Sequence, residues 1–277
     1  MNWVWLDGRM VRAKDARIPC FEEGVVYGQG LFETMRCFEG KVFALDRHLE
    51  RLIRSCPVMG LARPFRLVLA RAVVAVIRKN RLKNASLRLN VSKAGRGLHI
   101  CVFARKFSAP GPEVIRKGFS AFLAQDRILG ASKLSNVKSL NHYFYISLTR
   151  LAQQKGFDEA LFLNHRAELV EGSRTNVFLV KNSRVRTPAL SCGCLPGVTR
   201  AIALQICQAL KIPARQDRIT AQEIFRQDEI FVTNSLIGIM PLTRIDKKPV
   251  GGGKPGPLSE KIRTYYEKLV ETELSLR

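Results

Sequence analysis

Residues 171–178 read Glu-Gly-Ser-Arg-Thr-Asn-Val-Phe, and residues 195–200 read Leu-Pro-Gly-Val-Thr-Arg. The apolar end of the first stretch predicts a buried strand, and apolar residues spaced four apart after the second predict a helix. The N–H groups of Val198 and Thr199 lie in the first turn of that helix, which offers them no acceptor and whose dipole favours an anion. Gly197 has no side chain to keep a ligand away. These stretches therefore predict either an anion-binding helix N-terminus or a plain helix start.

The residues on either side of these stretches predict an α+β protein. Asp7-Gly8 and Glu39-Gly40 separate apolar runs and predict two hairpins. Further strands are predicted near Ser86–Val91, His99–Ala104, Phe119–Ala124, Glu159–Leu163 and Glu229–Thr233. Helices are predicted after a cap at Asp46, over Phe65–Lys79, from about Leu140 to Lys155, after a capping box of Thr220 and Glu223, and over Pro257–Leu274.

The chain is long enough for two modest domains. It has 277 residues, and a domain typically takes about 150. Ser108-Ala-Pro-Gly-Pro112 is the clearest linker, because proline and glycine interrupt both helices and strands. We therefore expect a small α/β domain over residues 1–108 and a larger domain over residues 113–277, joined by a linker at about 108–112.

The charge of the chain is strongly basic. Its 46 Lys and Arg exceed 23 Asp and Glu, a net charge of +23, and residues 51–112 hold 14 basic residues and no acid. Such a field attracts phosphates, polycarboxylates or nucleic acid. The basic residues alternate with apolar ones, and no zinc-finger spacing, RNA-binding aromatic signature or basic heptad is present. The pattern favours a generally basic surface that attracts small anions, without a nucleic-acid partner.

Several other classes are excluded by the residue patterns. The longest uncharged run, residues 230–243, has 14 residues, and a membrane-spanning helix needs about 20. Asp7 and Arg9 interrupt any signal peptide. The seven cysteines form no CxxC pair, and the four histidines have no metal-ligand spacing. We expect a reduced, cytoplasmic protein without a membrane partner or a metal.

Six segments, taken together and in this order, resemble the pyridoxal-phosphate enzymes of fold type IV. They are residues 27–36 (YGQGLFETMR), 47–52 (RHLERL), 136–143 (NVKSLNHY), 171–178 (EGSRTNVF), 195–200 (LPGVTR) and 231–242 (FVTNSLIGIMPL). The group contains the class IV aminotransferases for branched-chain and D-amino acids, and 4-amino-4-deoxychorismate lyase. The resemblance implies a two-domain α+β fold like that of D-amino-acid aminotransferase, pyridoxal 5'-phosphate in the cleft between the domains, and a homodimer.

The resemblance assigns the two residues closest to the chemistry. An aldehyde cofactor needs an amine that holds it as a Schiff base and then moves protons. By resemblance this amine is Lys138, although a lysine in so basic a chain is otherwise most often a surface charge. Glu171 matches the carboxylate that pairs with the pyridine nitrogen and keeps the ring able to accept electrons; the alternative is a strand-end glutamate paired with Arg174.

Further cofactor contacts follow from the resemblance. Arg51 matches the phosphate arginine and borders the apolar face of its helix, so we expect it to reach inward; the alternative is a solvated arginine. Tyr143 is expected near the phenolic oxygen of the cofactor. The remaining expected contacts are the helix start at Val198 and Thr199 and a second phosphate-side turn at Ser235 and Leu236.

The reaction itself has two candidate readings. Three features resemble the lyase: Thr34, the turn at residues 233–236, and a short glycine- and arginine-rich loop at residues 92–97. We expect Thr34 to take part in catalysis. These features favour the lyase, which would convert aminodeoxychorismate to 4-aminobenzoate and pyruvate in folate synthesis. The alternative is a branched-chain or D-amino-acid aminotransferase that uses 2-oxoglutarate, as Lys138-Ser-Leu-Asn141 also suggests. Apart from these two reactions, a third interpretation is a non-catalytic anion- or nucleic-acid-binding relative.

The substrate is expected to be a small anionic amine. Arginine binds carboxylates through two hydrogen bonds. Arg36, Arg88 and Arg96 are therefore candidates for binding substrate carboxylates, and Tyr27 is a further candidate substrate contact.

Overall fold

The computed structural model of the protein describes residues 2–130 and 132–275, whose contacts divide them into two compact units. Unit 1 holds residues 2–109, 137–142 and 270–275, and unit 2 holds the described residues of 110–136 together with Tyr143–Leu269. The predicted domains differ from these units in two segments, because residues 137–142 and 270–275 make their contacts within unit 1. No helix of the described ranges is long and apolar enough to cross a membrane.

Unit 1 is built on a six-stranded antiparallel sheet in the order β2-β1-β6-β5-β3-β4. Its elements are β1 Trp3–Leu6, β2 Arg9–Arg12, α1 Glu23–Val26, β3 Gly30–Phe38, β4 Lys41–Val42, α2 Leu45–Ser55, α3 Arg66–Lys79, β5 Ala85–Ala94 and β6 Gly97–Lys106. One face of β3, β5 and β6 packs with α2 and α3 in an apolar core that includes Leu31, Met35, Leu49, Leu69, Leu87 and Val102. The strands alternate, so every second side chain points away from this core.

Unit 2 contains a mixed sheet in the order β12-β11-β10-β13-β14-β7-β8-β9, with β15 paired to β14. Its elements are α4 Pro112–Lys117, β7 Phe119–Ile128, α5 Tyr143–Gln154, β8 Glu159–Asn164, β9 Leu169–Gly172, β10 Asn176–Lys181, β11 Arg184–Pro188, α6 Val198–Ala209, β12 Ala214–Asp217, α7 Ala221–Ile224, β13 Glu229–Asn234, β14 Gly238–Ile245, β15 Lys248–Pro249 and most of α8 Pro257–Ser275, whose residues 270–275 belong to unit 1. The α+β prediction is confirmed.

Two local predictions are wrong. Residues 92–97 are not a loop, because β5 and β6 stay paired as far as Ala94 and Gly97 and only Gly95-Arg96 form the turn. Asp46 does not cap α2, which begins one residue earlier at Leu45. The Asp46 carboxylate instead pairs with Arg66 at 2.6 Å.

The helix expected from about Leu140 begins only at Tyr143. The preceding segment, residues 137–142, is held against the edge of β3. The N–H of Phe32 donates to the carbonyl of Lys138 at 2.8 Å, and the N–H of Leu140 donates to the carbonyl of Gly30 at 2.9 Å. This pairing keeps Lys138 beside β3 and prevents the helix from starting earlier.

Candidate active site

Lys138 lies against an aromatic ring in unit 1. Its Nζ is 4.4 Å from the ring centroid of Phe32, a residue that is only 2 % exposed. The backbone hydrogen bond between the two residues sets this position. The amine is therefore held at a sheet edge and partly shielded from solvent, which differs from the environment of an ordinary surface lysine.

His142 packs on the same ring of Phe32. The two rings meet edge to face with centroids 4.9 Å apart. Burial lowers the pKa of His142 to about 3, and the charges of Lys138 and Arg88 act in the same direction. The imidazole is therefore neutral at pH 7. His142 was not among the predicted site residues, although it lies within the motif that contains Lys138.

Arg88 approaches the Phe32 ring as well. Its Cζ is 3.3 Å from the ring centroid, and its Nε donates to Oδ1 of Asn90 at 2.8 Å. Burial lowers the pKa of Arg88 to about 10, while the charge of Glu33 opposes that shift. The guanidinium remains a cation at pH 7 in a partly desolvated position. Among the described residues, no carboxylate forms an ion pair with it.

A cavity of about 380 Å³ opens on this face of the unit 1 sheet. Its lining residues are Thr34, Ser86, Arg88, Asn90, Phe103 and Arg105. Strand register brings them together: Thr34 lies opposite Arg88, and Ser86 lies opposite Arg105. None of the described lining residues is acidic. The cavity therefore presents two guanidinium groups, an amide and two hydroxyls.

The other predicted substrate residues lie elsewhere. The Arg36 guanidinium stacks on Phe38, with its Cζ 4.2 Å from the ring centroid. Arg96 is exposed at the tip of the β5–β6 hairpin, and Tyr27 is 71 % exposed after α1. None of the three lines the cavity. Arg105 was not predicted as a site residue, because its only signal was its position on the outward side of an alternating strand.

Arg51 lies inside unit 1 in a buried ion pair. Its Nε donates to Oε1 of Glu33 at 2.8 Å, and its Nη2 donates to Oε2 at 2.5 Å. His48 Nδ1 lies 2.7 Å from the same Oε2. The guanidinium therefore points inward, as expected, but it is bound to a carboxylate that was not predicted to belong to the site. Glu33 was detectable as a single acid in an alternating apolar strand.

Glu171 is buried at the end of β9 in unit 2. Its Oε2 accepts hydrogen bonds from Asn176 Nδ2 at 2.9 Å and from the N–H of Leu195 at 3.1 Å. Burial raises the pKa of Tyr145, and the charge of Glu171 raises it further. The predicted alternative, a pair with Arg174, is not formed: Arg174 Nη2 donates to the carbonyl of Asp158 instead.

The N-terminus of α6 in unit 2 is the helix start that was predicted to bind the cofactor phosphate. Gly197 occupies the cap position and therefore offers no side-chain cap to the first turn at Val198 and Thr199. A Cβ on Gly197 would lie 2.0 Å from Oδ1 of Asn176, so a larger residue there would displace the Asn176 side chain. Of the other predicted contacts, the N–H of Leu236 donates to Oδ1 of Asn234 at 2.9 Å, and Tyr143 is 71 % exposed.

The neutral histidines make the stability of the apoprotein depend on pH. Burial lowers the pKa of His142 to about 3 and also lowers that of His48, from an ordinary value of 6.5. Below about pH 6.5 these histidines bind protons in the unfolded chain but stay neutral in the folded chain. We expect the free energy of unfolding to fall as the pH drops below about 6.5, by up to about 1.4 kcal/mol per pH unit for each histidine. Urea unfolding at pH 7, 6 and 5 measures this.

The variant His142→Asn should make the decline below pH 6.5 shallower. The exposed His165 offers a matched control, so His165→Asn should leave the decline unchanged. Equal slopes in the wild type and in His142→Asn would contradict the assignment of a neutral, buried imidazole.

Comparison with known proteins identifies the family that this chain resembles. The profile of the amino-transferase class IV family matches residues 30–245. The chain is 28% identical to the branched-chain-amino-acid aminotransferase of Pseudomonas aeruginosa, covering 96% of this chain and 92% of that protein. It is 27% identical to the D-alanine aminotransferase of Bacillus licheniformis, covering 98% of each chain.

Solved structures agree with this match. The branched-chain aminotransferase of Thermoproteus uzoniensis with norvaline has a TM-score of 0.89 and 30% identity over 97% of this chain and 94% of that chain. The branched-chain amino acid aminotransferase of Escherichia coli has a TM-score of 0.90 and 25% identity, with the same coverage. A further branched-chain relative, at 25% identity and a TM-score of 0.90, was solved with pyridoxamine 5'-phosphate. The chain therefore belongs to the class IV aminotransferase family, the fold-type IV enzymes that use pyridoxal 5'-phosphate.

Proposed function

We propose that this enzyme is an aminotransferase whose amino-acid substrates include one with an acidic side chain. The observation that carries the proposal is the cavity of unit 1, in which Arg88 faces an acid-free lining and contacts the same Phe32 ring as Lys138. The relatives described above are named aminotransferases. They support this reading over the lyase.

The residues present fit pyridoxal 5'-phosphate by their chemistry. Gly197 leaves room at an uncapped helix start, where the N–H groups of Val198 and Thr199 are suited to a phosphate. Lys138 supplies the amine, Glu171 the carboxylate for the ring nitrogen, and Arg51 a second phosphate ligand. When bound, the cofactor supplies an electron sink that stabilises negative charge on the substrate Cα.

Each residue has a defined task in this proposal. Lys138 would hold the cofactor through its Nζ, and the same nitrogen would take up the proton that leaves the substrate Cα. Phe32 lies against this amine, and the neutral His142 packs on the same ring. The N–H donors of Asn176 and Leu195 fix the orientation of the Glu171 carboxylate, which would pair with the ring nitrogen.

The cavity explains why an acidic side chain is favoured. A substrate carboxylate would form charge-assisted hydrogen bonds with Arg88, which has no acidic partner of its own among the described residues. Arg105, which also lines the cavity, adds a second positive charge. A branched aliphatic side chain at the same position would remove water from Arg88 and Asn90 without replacing its hydrogen bonds.

Replacing Arg88 should change the substrate preference. For Arg88→Gln we expect kcat/KM for glutamate to fall by about 10²-fold, because a partly buried charge pair with the substrate is lost. The value for leucine or alanine should change little. Kinetics of amino transfer with each donor, at a fixed keto-acid concentration, measures the effect.

Arg96→Gln is the matched control for this experiment. Arg96 carries the same charge on the same hairpin but lies at its exposed tip. Its replacement should leave both kcat/KM values near those of the wild type. An equal loss for glutamate and leucine in Arg88→Gln would refute the assignment of the cavity to an acidic side chain.

The lyase remains a second candidate because Thr34 lines the same cavity, opposite Arg88. The two reactions differ in their need for a second substrate. An aminotransferase requires a keto acid such as 2-oxoglutarate, whereas the lyase releases 4-aminobenzoate and pyruvate from 4-amino-4-deoxychorismate alone. Incubation with that compound, without a keto acid, therefore separates them. We expect no pyruvate above the level of the Lys138→Ala blank.

The oligomeric state and location remain predictions. The resemblance implies a homodimer, which light scattering of the purified protein measures. The cytoplasmic location follows only from the cysteine pattern.

A further inference from the structure

The most unusual buried group outside the cavity is Glu33. It lies on the core-facing side of β3, between Leu31 and Met35, and is fully buried. A carboxylate in an apolar core is strongly unfavourable unless it is paired and hydrogen-bonded. An apolar residue would suit packing at this position at least as well. The presence of an acid therefore calls for a role beyond packing.

Both oxygens of this carboxylate bind groups on α2. Arg51 contacts Oε1 through Nε and Oε2 through Nη2, which is a two-bond fork, and His48 contacts Oε2 through Nδ1. His48 and Arg51 are three residues apart and share one face of the helix. The contacts therefore fix the plane of the guanidinium as well as its position.

The protonation states agree with this arrangement. Burial alone would raise the pKa of Glu33, but the charges and hydrogen bonds of Arg51 and His48 lower it to about 2. An ionised carboxylate only accepts hydrogen bonds, so Nδ1 of His48 carries the proton and donates it. Burial lowers the pKa of His48, so its ring is neutral at pH 7. The cluster thus holds one negative charge against the single positive charge of Arg51.

We infer that Glu33 and His48 are positioning residues that hold the Arg51 guanidinium ready to bind the phosphate of the cofactor. The inference rests on the proposed function, in which Arg51 is a phosphate ligand. A long arginine side chain has many rotamers, and fixing it before binding reduces the entropy lost when the phosphate arrives. Glu33 also offsets the positive charge of Arg51, which by itself would weaken the attraction for a phosphate. Its contribution to phosphate binding must therefore come from fixing the geometry of the guanidinium.

A comparison of two ligands tests this role. Pyridoxal 5'-phosphate and pyridoxal share the aldehyde and the ring, but only the first carries a phosphate. Their dissociation constants for the apoprotein are measured by absorbance titration. For Glu33→Gln we expect the affinity for pyridoxal 5'-phosphate to fall by about 10-fold, the size typical of losing a residue that orients a ligand. The affinity for pyridoxal should change little.

Two further variants show whether Glu33 acts through Arg51. In the Arg51→Gln background, Glu33→Gln should cause no additional phosphate-selective loss, because the group that it positions is already absent. Glu50→Gln is the matched control: it removes the same charge from an exposed position next to Arg51 and should leave both affinities unchanged.

The outcomes separate the inference from the proposed function. Equal weakening of both ligands in Glu33→Gln would show a merely structural role, and tighter binding of pyridoxal 5'-phosphate would show that Glu33 competes for the guanidinium. Either result overturns the inference and leaves the proposed function standing. Wild-type apoprotein that fails to bind pyridoxal 5'-phosphate through Lys138 would overturn both.

Breaking a buried ion pair can prevent folding, so a milder variant accompanies Glu33→Gln. His48→Gln keeps the Glu33–Arg51 fork and removes only the histidine ring. We expect a smaller, phosphate-selective loss of affinity in a protein that still unfolds cooperatively. The absence of any phosphate-selective change in a folded His48→Gln protein would contradict the positioning role of His48 and, if Glu33→Gln does not fold, the inference as a whole.

Discussion

Lys138→Ala should abolish amino transfer, lowering kcat by about 10⁴-fold, the upper range for removing a residue that moves a proton in the transition state. In the proposed function one amine performs two tasks, holding the cofactor and carrying the Cα proton, and among the described residues no second lysine stacks on the Phe32 ring. The variant should also lose the yellow colour of cofactor bound to lysine. Borohydride, which fixes that linkage, should attach cofactor to the wild type but not to the variant.

Lys133→Ala is the control for this experiment. Lys133 lies five residues earlier and is exposed, so its loss removes the same charge without touching the ring. It should keep both the colour and the activity. A Lys138→Ala protein that still turns over at the wild-type rate, or that is still labelled after borohydride treatment, would show that another amine holds the cofactor.

Glu171→Gln should have the second-largest effect, a fall in kcat of about 10²- to 10³-fold, as seen when one preorganised electrostatic group is removed. The amide has no negative charge to keep the ring nitrogen protonated, so the cofactor withdraws electrons less well. The variant should still bind the cofactor, because the substitution does not change the linkage to Lys138 or the phosphate contacts. Stopped-flow measurement of the first half-reaction separates this loss of rate from a loss of cofactor.

Glu267→Gln controls for the change of charge at Glu171. Glu267 is half-exposed on α8 and pairs with Arg263 on the preceding turn, so its replacement should not alter the half-reaction. If Glu171→Gln released the cofactor and left the rate of the reloaded enzyme unchanged, Glu171 would be a binding residue without an electronic role.

Local sequence specified the turns and most helices. Asp7-Gly8 and Glu39-Gly40 both adopt positive φ angles between paired strands, as their residue types predict. The predicted capping box of Thr220 and Glu223 forms at α7. These features depend on contacts within a few residues, so the sequence contains the information directly.

Two strands with both faces buried, β9 and β14, escaped prediction. β9 is buried along its whole length, and β14 is buried at every position except Arg244. Their sequences therefore do not alternate between apolar and polar residues, and periodicity gives no signal for them. The predicted start of α5 is wrong because a tertiary contact intervenes: backbone pairing with β3 overrides the helical pattern of residues 140–142.

The order of the amino acids was enough to specify the class of fold, the family and the residues that match its motifs, Lys138 and Glu171 among them. The groups that surround Lys138 and Arg51 were set by packing in three dimensions. Pairing of β3, β5 and β6 in one register brings together Thr34, Arg88 and Arg105. Packing of α2 on the opposite face of this sheet brings His48 and Arg51 to Glu33. Strand register and helix packing depend on contacts between residues far apart in the chain, which no local pattern records.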